Sequence, residues 1–115
     1  MAVNTDIRST EEFQQAVNQL ADEMMTVADE LANLAISLHP RLVQTLRAKG
    51  LDQARVAGFG STAEQAAKSV TRHLRIAAES VAFGAKGTKK SYLEYVKNIV
   101  EPIKAIASSR QEFKV

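Results

Sequence analysis

Two acidic pairs come nearest to the spacing of a chemical site. The pairs Asp22/Glu23 and Asp29/Glu30 recur seven residues apart, which places them along one side of a helix. Helical bundles bind divalent metals through such carboxylates when Glu-x-x-His motifs complete the ligand set. No histidine accompanies these acids at that spacing. We therefore predict a solvated acidic face, with a metal site as the less favoured alternative.

The remaining residues that could carry catalysis are few. His39 and His73 are the two histidines, and neither has a carboxylate or a second histidine at metal-ligand spacing. His39 precedes Pro40 and is predicted to end a helix, whereas His73 is predicted to lie at the surface. The stretch "GFGST" lacks the lysine of a nucleotide-binding loop and is read as a turn, with Phe59 as an apolar plug. The sequence thus predicts no catalytic, cofactor-binding or metal-binding residue and no enzyme activity.

Charge is unevenly distributed along the chain. Residues 9–39 hold six acids and no Lys or Arg, while residues 40–115 hold fourteen cations against six acids. Lys68, Arg72 and Arg75 follow one another at helical spacing and form what we call the basic stripe. A further cluster follows in the sequence at Lys86, Lys89 and Lys90. Two explanations stay open: the acidic helix meets basic helices, in one copy or between copies, or the cations bind nucleic acid or acidic lipid.

Composition limits the class of protein. The chain has 115 residues, 45% of them hydrophobic and 24% charged, with 5% aromatics and no tryptophan or cysteine. These values predict one soluble domain whose core is built from aliphatic side chains, without disulfides or thiolate metal sites. No apolar run reaches the ~20 residues that span a bilayer, and the amino terminus has no signal-peptide pattern. The sequence therefore predicts a protein that is cytoplasmic or exported without a cleaved signal peptide.

Apolar residues in steps of four and three predict long helices. The first set begins after "STEE", where Ser9 and Glu12 can form a capping box. It comprises Phe13, Val17, Leu20, Met24, Val27, Leu31, Leu34 and Leu38. A second set begins after "STAE", with Ser61 and Glu64 as the capping pair, and alanines in it would let a neighbouring helix approach closely. It comprises Ala63, Ala67, Val70, Leu74, Ala77 and Val81.

Proline and glycine set the predicted ends of the helices. Pro40 predicts a kink in the first helix or the start of a short second helix. Residues 50–60 are predicted to reverse the direction of the chain, and "FGAKGTKK" is predicted to interrupt a helix. The last helix should be kinked rather than ended by Pro102, with one face made of Tyr92, Val96, Ile99, Ile103 and Ile106. We predict one helical domain over residues 1–115, with helices over about 10–39, 41–49, 62–83 and 89–109. The predicted fold class is all-α, a long antiparallel hairpin or a three- or four-helix bundle with coiled-coil-like heptad seams.

A long helix, a turn of small residues and a second helix opening with alanines resemble the WXG100 helical-hairpin family. The resemblance implies export without a cleaved signal peptide and pairing of hairpins as four-helix bundles. The family's Trp-x-Gly is replaced here by adjacent Phe59 and Gly60, and its Tyr-x-x-x-Asp/Glu export signal is absent after Tyr92 and Tyr95. The chain is also similar to the small helical subunits of CRISPR effector complexes, which are of this size, all-α, without catalytic residues and basic on one face.

These patterns predict a non-enzymatic helical module that binds other helices, most of all copies of itself. Narrow heptad seams bury little surface in a single copy, so pairing adds to the core. The residues predicted to bind the partner are Phe13, Val17, Leu20, Met24, Leu31, Leu34, Leu38, Val70 and Leu74. The alternative is a nucleic-acid-binding helical subunit that uses Lys68, Arg72, Arg75, Lys86, Lys89 and Lys90.

Overall fold

The computed structural model describes Val3 and residues 6–58 and 60–112, without the side chains of residues 108–112. Phe59, the predicted apolar plug, lies outside these residues. The described chain forms helices and no strand: α1 (Thr10–Ala48), α2 (Leu51–Val56), α3 (Ala63–Tyr95), a π-helical turn (Val96–Val100) and α4 (Glu101–Glu112). The predicted all-α class is confirmed, with two long helices joined by a short connection.

Helix α1 begins at the predicted capping residue. Ser9 Oγ accepts a hydrogen bond from the Glu12 amide at 3.1 Å, which satisfies an amide that has no partner inside the helix. The Glu12 carboxylate accepts from the Arg8 amide at 2.9 Å, one residue before the position that a capping box requires. The helix is followed by Gly50, whose φ of 87° is readily adopted only by glycine.

Pro40 does not interrupt α1. A single helix replaces the two predicted over 10–39 and 41–49, so that boundary was wrong. Proline removes one helical hydrogen bond and costs ~3 kcal/mol inside a helix. Ala35 and Val43 on either side are buried, and Pro40 itself is exposed. Packing of the neighbouring turns outweighs the lost hydrogen bond, because breaking the helix would expose these side chains.

The connection between α1 and α3 contains more structure than predicted. Residues 50–60 were predicted as a reversal of the chain without a helix, yet they include the six-residue helix α2. Asp52 of α2 accepts a hydrogen bond from the Ala63 amide at 2.7 Å and another from Arg47 Nε at 3.3 Å. The capping box of α3 is formed by Thr62 and Gln65, one residue after the predicted pair Ser61 and Glu64.

The predicted break at "FGAKGTKK" is also absent. Helix α3 continues to Tyr95, so the predicted boundaries at 83 and 89 were wrong. Each glycine in a helix costs ~1 kcal/mol, but Ala85 between them is buried and Thr88 Oγ1 donates to the Gly84 carbonyl oxygen at 2.9 Å. A π-helical turn lies just before Pro102, which occupies the first turn of α4, where its missing amide donor costs little.

The chain divides into two compact units. Unit 1 comprises Met1–Glu23 and Phe83–Val115, and unit 2 comprises Met24–Ala82. In unit 1, the Phe13 ring lies edge-on to the rings of Tyr92 and Tyr95, at centroid distances of 5.6 and 5.1 Å. The hydroxyl groups of Thr10 and Tyr95 lie 2.8 Å apart. These contacts show that the first turns of α1 pair with the last turns of α3, antiparallel.

Unit 2 is built around small side chains. In α1 the buried residues are Ala28, Ala35 and Val43, and in α3 they are Ala63, Ala67, Thr71 and Ala78. Alanine at the closest positions of both helices lets the two backbones approach, so the core is narrow. Larger residues one position away on each helix remain at its edges.

Three of the eight residues of the predicted α1 seam are exposed rather than buried between the helices. Val17 is buried and Phe13, Met24, Leu31 and Leu38 are half-buried, as a seam requires. The alternate positions Leu20, Val27 and Leu34 are 38%, 45% and 51% exposed. The alanines that follow each of them, at 21, 28 and 35, are buried in their place. On α3, Val70 is 51% exposed, Thr71 is fully buried, and Leu74 is half-buried.

Replacing Ala35 with Leu should destabilise the protein by about 1–3 kcal/mol, because Ala35 is fully buried and additional carbon atoms would force the helices of unit 2 apart. Urea unfolding followed by circular dichroism measures the loss. Ala48→Leu, at an exposed position of the same helix, is the control and should leave the midpoint nearly unchanged. Equal midpoints for the two variants would contradict the tight alanine packing.

Candidate functional site

His39 joins α1 to α3 within unit 2. Its Nε2 lies 2.9 Å from Glu64 Oε1, and its Nδ1 lies 3.4 Å from Thr71 Oγ1. Thr71 is fully buried, and its hydroxyl donates to the Ala67 carbonyl oxygen at 3.0 Å. Because the Glu64 carboxylate accepts, Nε2 is the ring nitrogen that donates to it. The prediction that His39 ends a helix is wrong, since it lies inside α1.

This cluster is arranged to hold helices together. Thr71 has no exposed surface, so its hydroxyl is closed to a substrate. The His39 side chain is 23% exposed and the Glu64 side chain 55%. Both ring nitrogens of His39 already contact groups on α3. Among the described residues, no group of three or more His, Asp or Glu side chains could hold a metal ion.

The acidic residues of α1 form an outer face. Asp22, Asp29 and Glu30 are exposed, while Glu23 is half-buried and accepts a hydrogen bond from Gln19 at 3.3 Å. This placement confirms the predicted solvated face. In the part of the chain that the structure describes, Asp29 and Glu30 form no ion pair with a cation.

Three exposed apolar side chains share one edge of unit 2, which we call the apolar flank. Val27 and Leu34 directly precede buried alanines on α1, and Val70 directly precedes buried Thr71 on α3. In two antiparallel helices, the residue that directly precedes a contact position lies on the same side of the helix pair in both helices. The second helix runs in the opposite direction and also faces the opposite way, and the two reversals cancel. The flank therefore presents branched aliphatic side chains from both helices.

A second apolar surface belongs to unit 1. Helix α1 begins opposite Tyr95, and the π-helical turn and α4 extend past that point in sequence. Of the predicted face of the last helix, Tyr92 and Val96 are half-buried, but Ile99, Ile103 and Ile106 are 46%, 61% and 55% exposed. An open groove lies beside the aromatic cluster and is lined by Ile7, Arg8, Ser9, Thr10, Phe13 and Tyr95.

The six predicted cations are all exposed, and within the described chain none of them forms an ion pair. Lys68 and Arg72 of the basic stripe line a shallow groove on α3, and Arg75 follows one turn later. Gln65, Ser69 and His73 complete the groove lining, so His73 is at the surface as predicted. Lys86, Lys89 and Lys90 belong to unit 1.

Sequence reasoning missed the contacts that fix the two long helices. His39 and Glu64 are 25 residues apart, and each belongs to a separate local pattern. Asp52 was part of the stretch predicted as a reversal of the chain. It lies in α2, 11 residues before Ala63 and far from the capping position next to the helix start, so no local pattern links the two residues.

Comparisons with known proteins identify no relative: no family model, curated protein or solved structure matches the chain. Within the described residues, no helix has an apolar stretch long enough to cross a bilayer.

A double-mutant cycle of His39→Ala and Glu64→Ala should show a coupling free energy of about 0.5 kcal/mol, a small value because the carboxylate is half exposed. Urea unfolding of the four proteins measures it. The control is the same cycle with Glu79, an exposed acid of α3 that forms no described ion pair, and it should give no coupling. A zero result for Glu64 would contradict the contact.

Proposed function

We propose that the protein is a non-enzymatic helical assembly module that associates with copies of itself through the apolar flank. The observation that carries the proposal is the exposure of Val27, Leu34 and Val70 beside a core made of alanine and threonine. Large aliphatic residues at regular spacing along paired helices are typical of surfaces that dock another helix. The coupling of His39 to Glu64 and Thr71 favours a structural role for the histidine over a catalytic one.

The magnitude of the burial decides how such copies would associate. Burying the exposed half of one aliphatic side chain contributes about 1 kcal/mol, so two symmetrical flanks contribute about 6 kcal/mol. Association itself costs about 4–15 kcal/mol in lost rotational and translational freedom. The flank alone therefore supports weak pairing. A stable assembly requires more apolar surface, which Ile99, Ile103 and Ile106 of unit 1 can supply.

The chain order agrees with the architecture that the WXG100 resemblance implies. The chain has two long helices joined through a short connection, and the resemblance implies that such hairpins pair. Copies that dock through their apolar flanks would place four long helices together. The proposal therefore includes a four-helix assembly of two copies.

Leu34→Glu should weaken self-association at least tenfold, because it places a charge in the middle of the docked surface. Light scattering coupled to size-exclusion chromatography, run over a range of concentrations, measures the mass. Val70→Glu, on the other helix of the flank, should have the same effect. Neither substitution should unfold the protein, since both side chains are about half exposed.

Ile36→Glu provides the matched control. Ile36 is 66% exposed on α1, but it follows a buried alanine and so lies away from the apolar flank. This variant should associate as the unmodified protein does. A monomeric wild-type protein at all concentrations, or equal losses for Leu34→Glu and Ile36→Glu, would refute the proposal.

A further inference from the structure

We propose that the basic stripe of α3 is a binding site for the phosphate backbone of nucleic acid, recognised without sequence preference. Lys68, Arg72 and Arg75 are exposed on successive turns of one helix. Their Cα positions are separated along the helix axis by about 6 Å and 4.5 Å, at 1.5 Å per residue. A row of cations at this spacing neutralises successive phosphates and releases their counterions.

The groove beside the stripe offers hydrogen bonds as well as charge. It is lined by Gln65, Lys68, Ser69, Arg72 and His73, and each of these side chains can donate a hydrogen bond to a phosphate oxygen. None of the five is acidic. Amide and hydroxyl donors beside arginine and lysine are the usual contacts to a nucleic-acid backbone.

An intramolecular contact keeps the stripe positively charged. Glu64 precedes Lys68 by four residues on α3, the spacing at which a Glu and a Lys on one helix normally pair. Here the Glu64 carboxylate contacts His39 Nε2 at 2.9 Å, and Lys68 has no ion-pair partner among the described residues. His39 is therefore a positioning residue, because it holds away the acid that would otherwise neutralise the first cation of the stripe.

The lining of the groove favours a nucleic acid over a protein helix. Helices that dock on proteins bury apolar anchors, and the five groove residues include no large aliphatic or aromatic side chain. The apolar flank, with Val27, Leu34 and Val70, consists of other residues of unit 2. A second copy that docked its acidic α1 on the stripe is the competing occupant.

The test is fluorescence anisotropy with a labelled duplex of about 20 base pairs and mixed sequence, at about 50 and 200 mM salt. Replacing Lys68, Arg72 and Arg75 together with Ala should weaken binding more than tenfold. The slope of log affinity against log salt should become shallower by about 2.7, or about 0.9 for each lost phosphate contact. The matched control replaces three other exposed cations of unit 2, Arg41, Lys49 and Arg55, and should change affinity less than threefold.

The positioning role of His39 has its own readout. His39→Ala should weaken binding about threefold, because Glu64 is then free to pair with Lys68. Adding Glu64→Gln to that variant should restore the wild-type affinity, although the first substitution is still present. Circular dichroism of each variant confirms that it is folded. Equal affinities for His39→Ala and the double variant would overturn the positioning role.

Two results would overturn the binding site itself. One is absence of duplex binding by the wild-type protein at the lower salt concentration, and the other is an equal loss of affinity in both triple variants. The competing occupant is tested by light scattering on the same proteins. Loss of self-association in the stripe variant, with duplex binding unchanged, would assign the stripe to an interface between copies.

Discussion

Close packing of small side chains is the constraint on which the rest of unit 2 depends. Ala35, Ala67 and Thr71 are buried with almost no exposed surface, and no large aliphatic residue shares their positions. Helices packed through alanine bury less apolar area per residue than helices packed through leucine. The unit therefore relies on many short contacts along both helices, and larger side chains are displaced to its edges.

That displacement links the core to the surfaces. Because the neighbouring helix packs directly on the alanines, the adjacent side chains of Val27 and Leu34 remain about half exposed. The same close approach brings His39 of α1 within hydrogen-bonding distance of Glu64 on α3. The close approach of the helices thus produces both an exposed aliphatic edge and a hydrogen-bonding contact that holds the Glu64 carboxylate away from Lys68.

The sequence was sufficient to predict the helical class and the first capping residue, because heptad spacing and Ser9 are local signals. It was misleading at Pro40 and at the glycines around Ala85, where a local cost of ~1–3 kcal/mol competes with packing that a local pattern does not contain. It also could not distinguish Leu34 from Ala35 as the buried residue. Both are apolar, and the choice depends on how closely another helix approaches.

The hydrogen bonds of Asp52 bear on the order in which contacts form during folding. Asp52 connects Arg47 to the Ala63 amide across separations of 5 and 11 residues, whereas the contact between Thr10 and Tyr95 spans 85. Closing a short loop costs less conformational entropy than closing a long one, so contacts at the connection can form first. We expect the contacts between the helices to form first at the connection and then towards the chain ends. Substitutions at Asp52 should therefore slow refolding, whereas substitutions at Phe13 should mainly accelerate unfolding. If the aromatic contacts of unit 1 form first instead, stopped-flow measurements would show slower refolding for the Phe13 variant and mainly faster unfolding for the Asp52 variant.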